Sequence, residues 1–195
     1  MFGDRDLAAV LELIGRASAA GRSTLVAIDG LGGAGKSTLA DEVRGATDGA
    51  TVVPVDDFYR PIAQTARARL GPEESYRRYF DWEKLRDTVL APLSGGSPSR
   101  YQRYDWAADA LADWREVRPG SVVIVGGVFS TRPELRSFYA VTVFVDTPRE
   151  QRLARMLGRA YDDVSWVEHW MAAEDWYMAN ARPAEHVDVV LDGSS

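Results

Sequence analysis

The chain contains no cysteine. That excludes disulfides, thiolate metal centres and a cysteine nucleophile. Histidine is nearly missing as well: only His169 and His186 occur, and neither has partners at a metal-ligating spacing. Positive charge is in deficit, with 23 Lys and Arg against 29 Asp and Glu and a net charge of −6. No broad basic face is available to neutralise phosphates, so nucleic acid is not expected as a partner. No apolar run approaches the length of a membrane span. The first residues include Asp4, Arg5, Asp6 and Glu12, unlike a secretory leader. No membrane contact and a cytoplasmic location are therefore expected.

What is present is ordinary for a soluble globular protein: 46% hydrophobic and 27% charged residues in a chain of 195. That length suits one domain, taken as residues 1–195, with a sizeable core. There is no internal repeat and no low-complexity segment.

Leu7, Val10, Leu11 and Ile14 recur at helical spacing, so residues 5–20 are predicted as an amphipathic helix ended by Gly21. Apolar runs at Thr24–Ile28, Thr51–Val55, Ser121–Val125, Val141–Asp146 and Val187–Leu191 predict strands. Helices are predicted over Trp82–Leu93, Arg149–Arg159 and Ser165–Asn180. Residues 62–80 mix helix and loop, and Ser94–Ser99 is a loop. Arg100–Trp106 is aromatic and irregular, either a strand or a substrate-facing insertion. Strands alternating with helices indicate a parallel sheet covered on both faces, an α/β fold.

Residues 30–37 read Gly-Leu-Gly-Gly-Ala-Gly-Lys-Ser, a complete G-x-x-x-x-G-K-[ST] loop between a predicted strand and a predicted helix. Glycines let the backbone turn its N–H groups onto a phosphate, and the helix N-terminus adds positive partial charge. Gly32, Gly33, Ala34, Gly35, Lys36, Ser37 and Thr38 are the expected nucleotide-binding set. Lys36 would reach the β- and γ-phosphates, and the Ser37 hydroxyl would ligate Mg²⁺.

Asp56 and Asp57 follow the second strand, at the carboxyl edge where open α/β sheets bind ligands. A carboxylate there can take a proton from a substrate hydroxyl or hold Mg²⁺. Asp56, first after the strand, is the preferred candidate, with loop or helix-cap service as the alternative. Asp81 is either the N-cap of the helix starting at Trp82 or a contact to substrate hydroxyls. Arg152, Arg155 and Arg159 follow three- and four-residue steps and share a helix face. They form either a solvated basic face or the positive charge that phosphoryl transfer needs over the transferring group. Tyr101, Tyr104 and Trp106 can sandwich a flat ring or serve as core. Trp166, Trp170 and Trp176 read mostly as packing.

Taken in order, IDGLGGAGKST, VDDFYRP, YFDW, YDW, VVIVGGVFS and TVFVDTPREQRLARMLGR resemble the uridine kinase-like family of P-loop kinases, which includes phosphoribulokinase and pantothenate kinase. The match runs from about residue 24 to 160. The resemblance implies a P-loop NTPase three-layer sandwich with a mainly five-stranded parallel sheet and an arginine-bearing lid near 152–165. It implies ATP with Mg²⁺ as donor and a hydroxyl of a small polar molecule, most simply a nucleoside such as uridine or cytidine, as acceptor. By motif, Asp56 matches the catalytic base, with Ser37 and Asp56 at the metal. Lys36, Arg155 and Arg159 match the charge-stabilising groups. Tyr59, Asp81, Tyr104 and Trp106 match the nucleoside contacts.

Two positions depart from the pattern. Where relatives end the fourth apolar strand with Glu-Gly, this chain has Gly126-Gly127, and where the lid reads Arg-Asp it has Arg159-Ala160. Loss of a metal-proximal carboxylate weakens Mg²⁺ positioning. Two alternatives thus stand beside a nucleoside kinase: a nucleotide-binding protein with weak or no kinase activity, and a kinase for a non-nucleoside acceptor. The exposed aromatic surface is compatible with a homo-oligomer.

Overall fold

The computed structural model describes residues 2–158 and 164–194. Helix α1 (Asp4–Ala17) leads into β1 (Thr24–Gly30), the phosphate-loop segment and α2 (Lys36–Gly45). Strand β2 (Thr51–Pro54) runs into a 3₁₀ turn at Val55–Phe58. Short helices α3 (Gln64–Arg67) and α4 (Pro72–Arg78) follow. Next come α5 (Trp82–Leu85) and α6 (Ala91–Ser94), joined by a π-helical stretch at Arg86–Leu90. A hairpin of β3 (Ser99–Asp105) and β4 (Ala110–Val117) precedes β5 (Val122–Gly126) and β6 (Val141–Asp146). The chain closes with α7 (Arg149–Leu157), α8 (Val164–Ala181) and β7 (Val189–Asp192).

The main sheet has five parallel strands in the order β2-β5-β1-β6-β7. Helices lie on both faces, so its inner strands are mostly apolar, and every residue of β1 is buried, Asp29 included. Alternate residues feed two cores. Val26, Ile28, Ile124 and Val143 pack on α1 and α2 through Val10, Ile14, Leu39 and Val43. Leu25, Val123, Val125 and Phe144 face an aromatic core that includes Phe58, Tyr59, Tyr79 and Tyr177. This is the three-layer P-loop architecture.

The central position of β1 sets the site. Its neighbours β5 and β6 lie on opposite sides, so the chain leaving Gly30 emerges at the point where strand order diverges.

Some details differ from expectation. Ser99–Asp105 forms a strand of a hairpin separate from the main sheet, which places Trp106 just beyond it at the cavity, and its partner β4 is mostly exposed. The helix predicted over Trp82–Leu93 contains the π-helical stretch. Arg159, Ala160 and much of the expected lid lie outside the described residues. No helix among the described residues is long and apolar enough to cross a membrane.

Candidate active site

The phosphate loop links buried β1 to the first turn of α2. Gly35 sits at φ +105° immediately before the helix, a conformation that suits only glycine. Gly33 is also left-handed, at φ +77°, and a β-carbon there would lie 2.6 Å from the Arg152 carbonyl oxygen of α7. Backbone approach is therefore as close as glycine allows. The Lys36 ammonium donates to the Leu31 carbonyl at 2.8 Å, across the loop.

Beside the loop lies a cavity of about 490 Å³. Gly32, Gly33, Lys36 and Ser37 form one side, while Pro54, Asp56, Gly126 and Gly127 bring in the carboxyl ends of β2 and β5. Trp106, Trp166, Val167 and Trp170 form an apolar wall. Loop amides, a helix start, an ammonium, a hydroxyl and a carboxylate thus share one space.

Desolvation sets the electrostatics. It lowers the pKa of Lys36, opposed by the charges of Glu174, Asp29 and Asp56. Asp56 is exposed and lines the cavity. Desolvation raises its pKa, and Lys36 opposes the shift. A carboxyl raised in this way is a better proton acceptor at the cost of a more easily protonated ground state.

The loop and helix start fit a triphosphate tail. The Ser37 hydroxyl and the Asp56 carboxylate, both on the cavity, are the groups that would hold a magnesium ion; among the described residues there is no group of three or more His, Cys, Asp or Glu suited to a metal. Mg²⁺ commonly binds through one or two carboxylates, substrate phosphate and retained water.

Of the expected acceptor contacts, Trp106 lines the cavity, and Tyr59, Asp81 and Tyr104 lie outside its lining. The reason is packing. Tyr59 is 1% exposed, with its ring centre 4.4 Å from that of Trp106 and 5.2 Å from that of Tyr104. Asp81 caps α5, accepting the Lys84 N–H at 3.1 Å, and also binds Arg60 at 3.0 Å. The Tyr104 hydroxyl bonds to Asp109. Trp166 and Trp170 pack against the aromatic core, as expected, and also face the cavity. Arg155 donates to the carbonyls of Gly33, at 3.2 Å, and Gly193, at 2.9 Å, which ties α7 to the loop. Arg152 turns inward rather than joining a basic face. Arg159 lies outside the described residues.

Comparison with known proteins fits this arrangement. The chain is 32% identical over 143 residues to a uridine kinase of Deinococcus deserti, covering 71% of this chain and 69% of that protein. It belongs to the uridine kinase-like family of P-loop kinases. A uridine kinase of Halobacterium salinarum is 27% identical over 186 residues, covering 87% of this chain and 80% of that one. A solved structure described as a possible uridine kinase from Bacillus stearothermophilus superposes with a TM-score of 0.74 at 25% identity, covering 96% and 98% of the two chains. No family model matches the chain.

Within this uridine kinase-like chain, three residues of the site were not singled out in the sequence. Glu174 of α8 is fully buried and accepts the Gly32 N–H at 2.6 Å. It also pairs with Arg152 at 3.0 Å and accepts the Trp170 indole N–H at 2.8 Å. Asp29 accepts the backbone N–H groups of Gly30, Phe129 and Thr131. Tyr177 of α8 donates its hydroxyl to Asp29 at 2.7 Å. Helix α8 therefore holds the phosphate loop at Gly32 and the strand leading into it at Asp29. One cue was available for Glu174: an acidic residue beside Ala172 and Ala173, one turn from Trp170.

Proposed function

We propose that this chain transfers the γ-phosphate of ATP to a hydroxyl of a small nucleoside-like molecule. The observation that carries the reading is the convergence of Lys36, Ser37 and Asp56 on one cavity that has an aromatic wall. The loop amides and Lys36 hold the phosphates, and Lys36 leaves the Leu31 carbonyl to do so. The Trp106, Trp166 and Trp170 wall offers flat apolar surface to a base and keeps water from the acceptor. Asp56 takes the acceptor hydroxyl proton as the acceptor oxygen bonds to the γ-phosphorus. The bond from that phosphorus to the β–γ bridging oxygen breaks, and ADP carries the electron pair away. Bound Mg²⁺ supplies neutralisation of charge on the phosphate oxygens. Positioning and electrostatics provide most of the rate. Residues 1–195 act as one catalytic unit.

The test is ATP consumption with mass-spectrometric product detection across nucleosides, pantothenate and sugar alcohols, with Lys36→Ala as control. A phosphorylated nucleoside absent from the control supports the proposal. A product from another acceptor corrects the substrate, and no product with ADP binding intact removes the kinase activity.

Gly126 favours a second reading, a nucleotide-binding protein of weak activity. A β-carbon at this position would meet Ala40 Cβ at 3.7 Å, an ordinary contact, so a larger side chain can enter. Gly126→Glu is expected to raise Mg²⁺-dependent transfer by roughly tenfold. No gain in a folded variant that still binds ADP would show that a carboxylate here is not what limits the reaction.

A further inference from the structure

Glu174 stands where three walls of the site meet. Its Oε1 accepts from the phosphate loop, through Gly32 N–H at 2.6 Å, and from the aromatic wall, through the Trp170 indole at 2.8 Å. Its Oε2 is tied to Arg152 of α7 at 3.0 Å. The side chain is fully buried. One oxygen atom thus serves two donors on different walls of the cavity, with the other oxygen pinned. A shift of either donor changes the bond to the other.

Trp170 has little freedom to absorb such a shift. Its ring stacks on Tyr79, with centres 5.3 Å apart and planes 3° apart, and meets Phe80 edge-on at 5.8 Å. Gly32 is similarly confined, because a β-carbon there would lie 3.0 Å from both Glu174 Oε1 and Met156 Sδ. Lys36, the neighbouring cation of the loop, interacts electrostatically with the same carboxylate.

We propose that Glu174 is a positioning residue that couples the aromatic acceptor wall to the phosphate loop, through Trp170 on one side and Gly32 on the other. Occupation of the wall is then felt as a change in nucleotide affinity, and nucleotide binding as a change in the wall. The inference rests on the nucleotide-binding part of the function proposed above and not on the identity of the acceptor.

The test is a mutant cycle read as ADP affinity by calorimetry in the presence of Mg²⁺, with thermal melting as the check on folding. Trp170→Phe keeps an aromatic ring on the wall and removes the indole N–H. It is expected to weaken ADP binding about threefold or more. In a background where Arg152→Leu and Glu174→Leu remove the ion pair together, the same substitution is expected to leave ADP affinity unchanged. Loss of the effect in that background distinguishes coupling through Glu174 from direct contact between the ring and the nucleotide. A second measurement uses the unsubstituted chain, in which the Trp170 indole N–H resonance should move on ADP addition.

An unchanged affinity in Trp170→Phe, or an equal change in both backgrounds, overturns the coupling. An indole resonance that stays in place when ADP binds overturns it as well. Failure of the unsubstituted chain to bind ADP would overturn the nucleotide reading itself, and the coupling with it.

Discussion

Replacing Arg152 with leucine tests the buried charge arrangement directly. Arg152 and Glu174 are 5% and 0% exposed at the side chain, so neither charge has water to fall back on. Arg152→Leu leaves the carboxylate with the Gly32 and Trp170 donors but without its ion-pair partner. Breaking a buried pair from one side costs about 3–5 kcal/mol. For a chain of 195 residues the unfolding entropy is about 0.4 kcal/mol/K, so melting should fall by roughly 7–12 °C. The loss should depend on pH in a known direction. Desolvation already raises the Glu174 pKa, and Arg152 is among the groups opposing it. Removing Arg152 raises that pKa further in the folded state. A carboxyl whose folded pKa exceeds its unfolded value contributes stability below the unfolded value and loses it as pH rises through the folded one. The gap from the unsubstituted chain should therefore widen from acid to alkaline pH. Adding Glu174→Leu should recover only part of the loss, because the Gly32 and Trp170 N–H groups are then orphaned. Calorimetric melting across pH measures all three quantities. A fall of less than about 2 °C at alkaline pH, or a gap that ignores pH, would refute the reasoning.

Asp56→Asn removes a carboxylate whose pKa desolvation in the cleft raises above its ordinary 3.8. By the same sign rule, its charge weakens the fold above that range, so the variant should melt higher than the unsubstituted chain near neutral pH and match it in strong acid, while phosphoryl transfer is lost. Asp29→Asn tests the other fastening of the loop. Asp29 accepts from Gly30, Phe129, Tyr177 and both the N–H and hydroxyl of Thr131, whereas an amide keeps one acceptor oxygen and adds two donors. Denaturant unfolding should show a loss of about 2 kcal/mol or more, and a neutral result would mean that these donors find other partners.

The parts of this molecule that are legible in the sequence are those whose cause is local. The phosphate loop needs consecutive glycines and a lysine, and the sheet needs short apolar runs, so residues 24–45 and the strands at Val122 and Val141 read directly. Strand β4 does not, because its mostly exposed residues become a strand only through pairing with β3. Asp81 offered cap and substrate roles, and its hydrogen bond to Lys84 N–H shows that it serves as a cap. Tyr59 and Tyr104 match nucleoside contacts by motif, and their mutual ring packing in the core has no signature in the sequence. Glu174 is the clearest case of a long-range cause. Its loop partner is 142 residues away in the chain and its ion-pair partner 22. Periodicity carries no information at those separations.

The attachment of α8 to the loop bears on the order in which the protein matures during synthesis. Gly30–Ser37 leaves the ribosome well before Glu174 and Tyr177 are made, an interval of many seconds at about 5–20 residues per second. Throughout that interval the Gly32 N–H and the Asp29 carboxylate lack the α8 partners that later hold them. Arg152 likewise waits for its counter-charge. The emerging chain therefore carries the nucleotide motif long before it can hold that motif in shape. Docking of α8 then supplies the Gly32 and Asp29 partners from one helix.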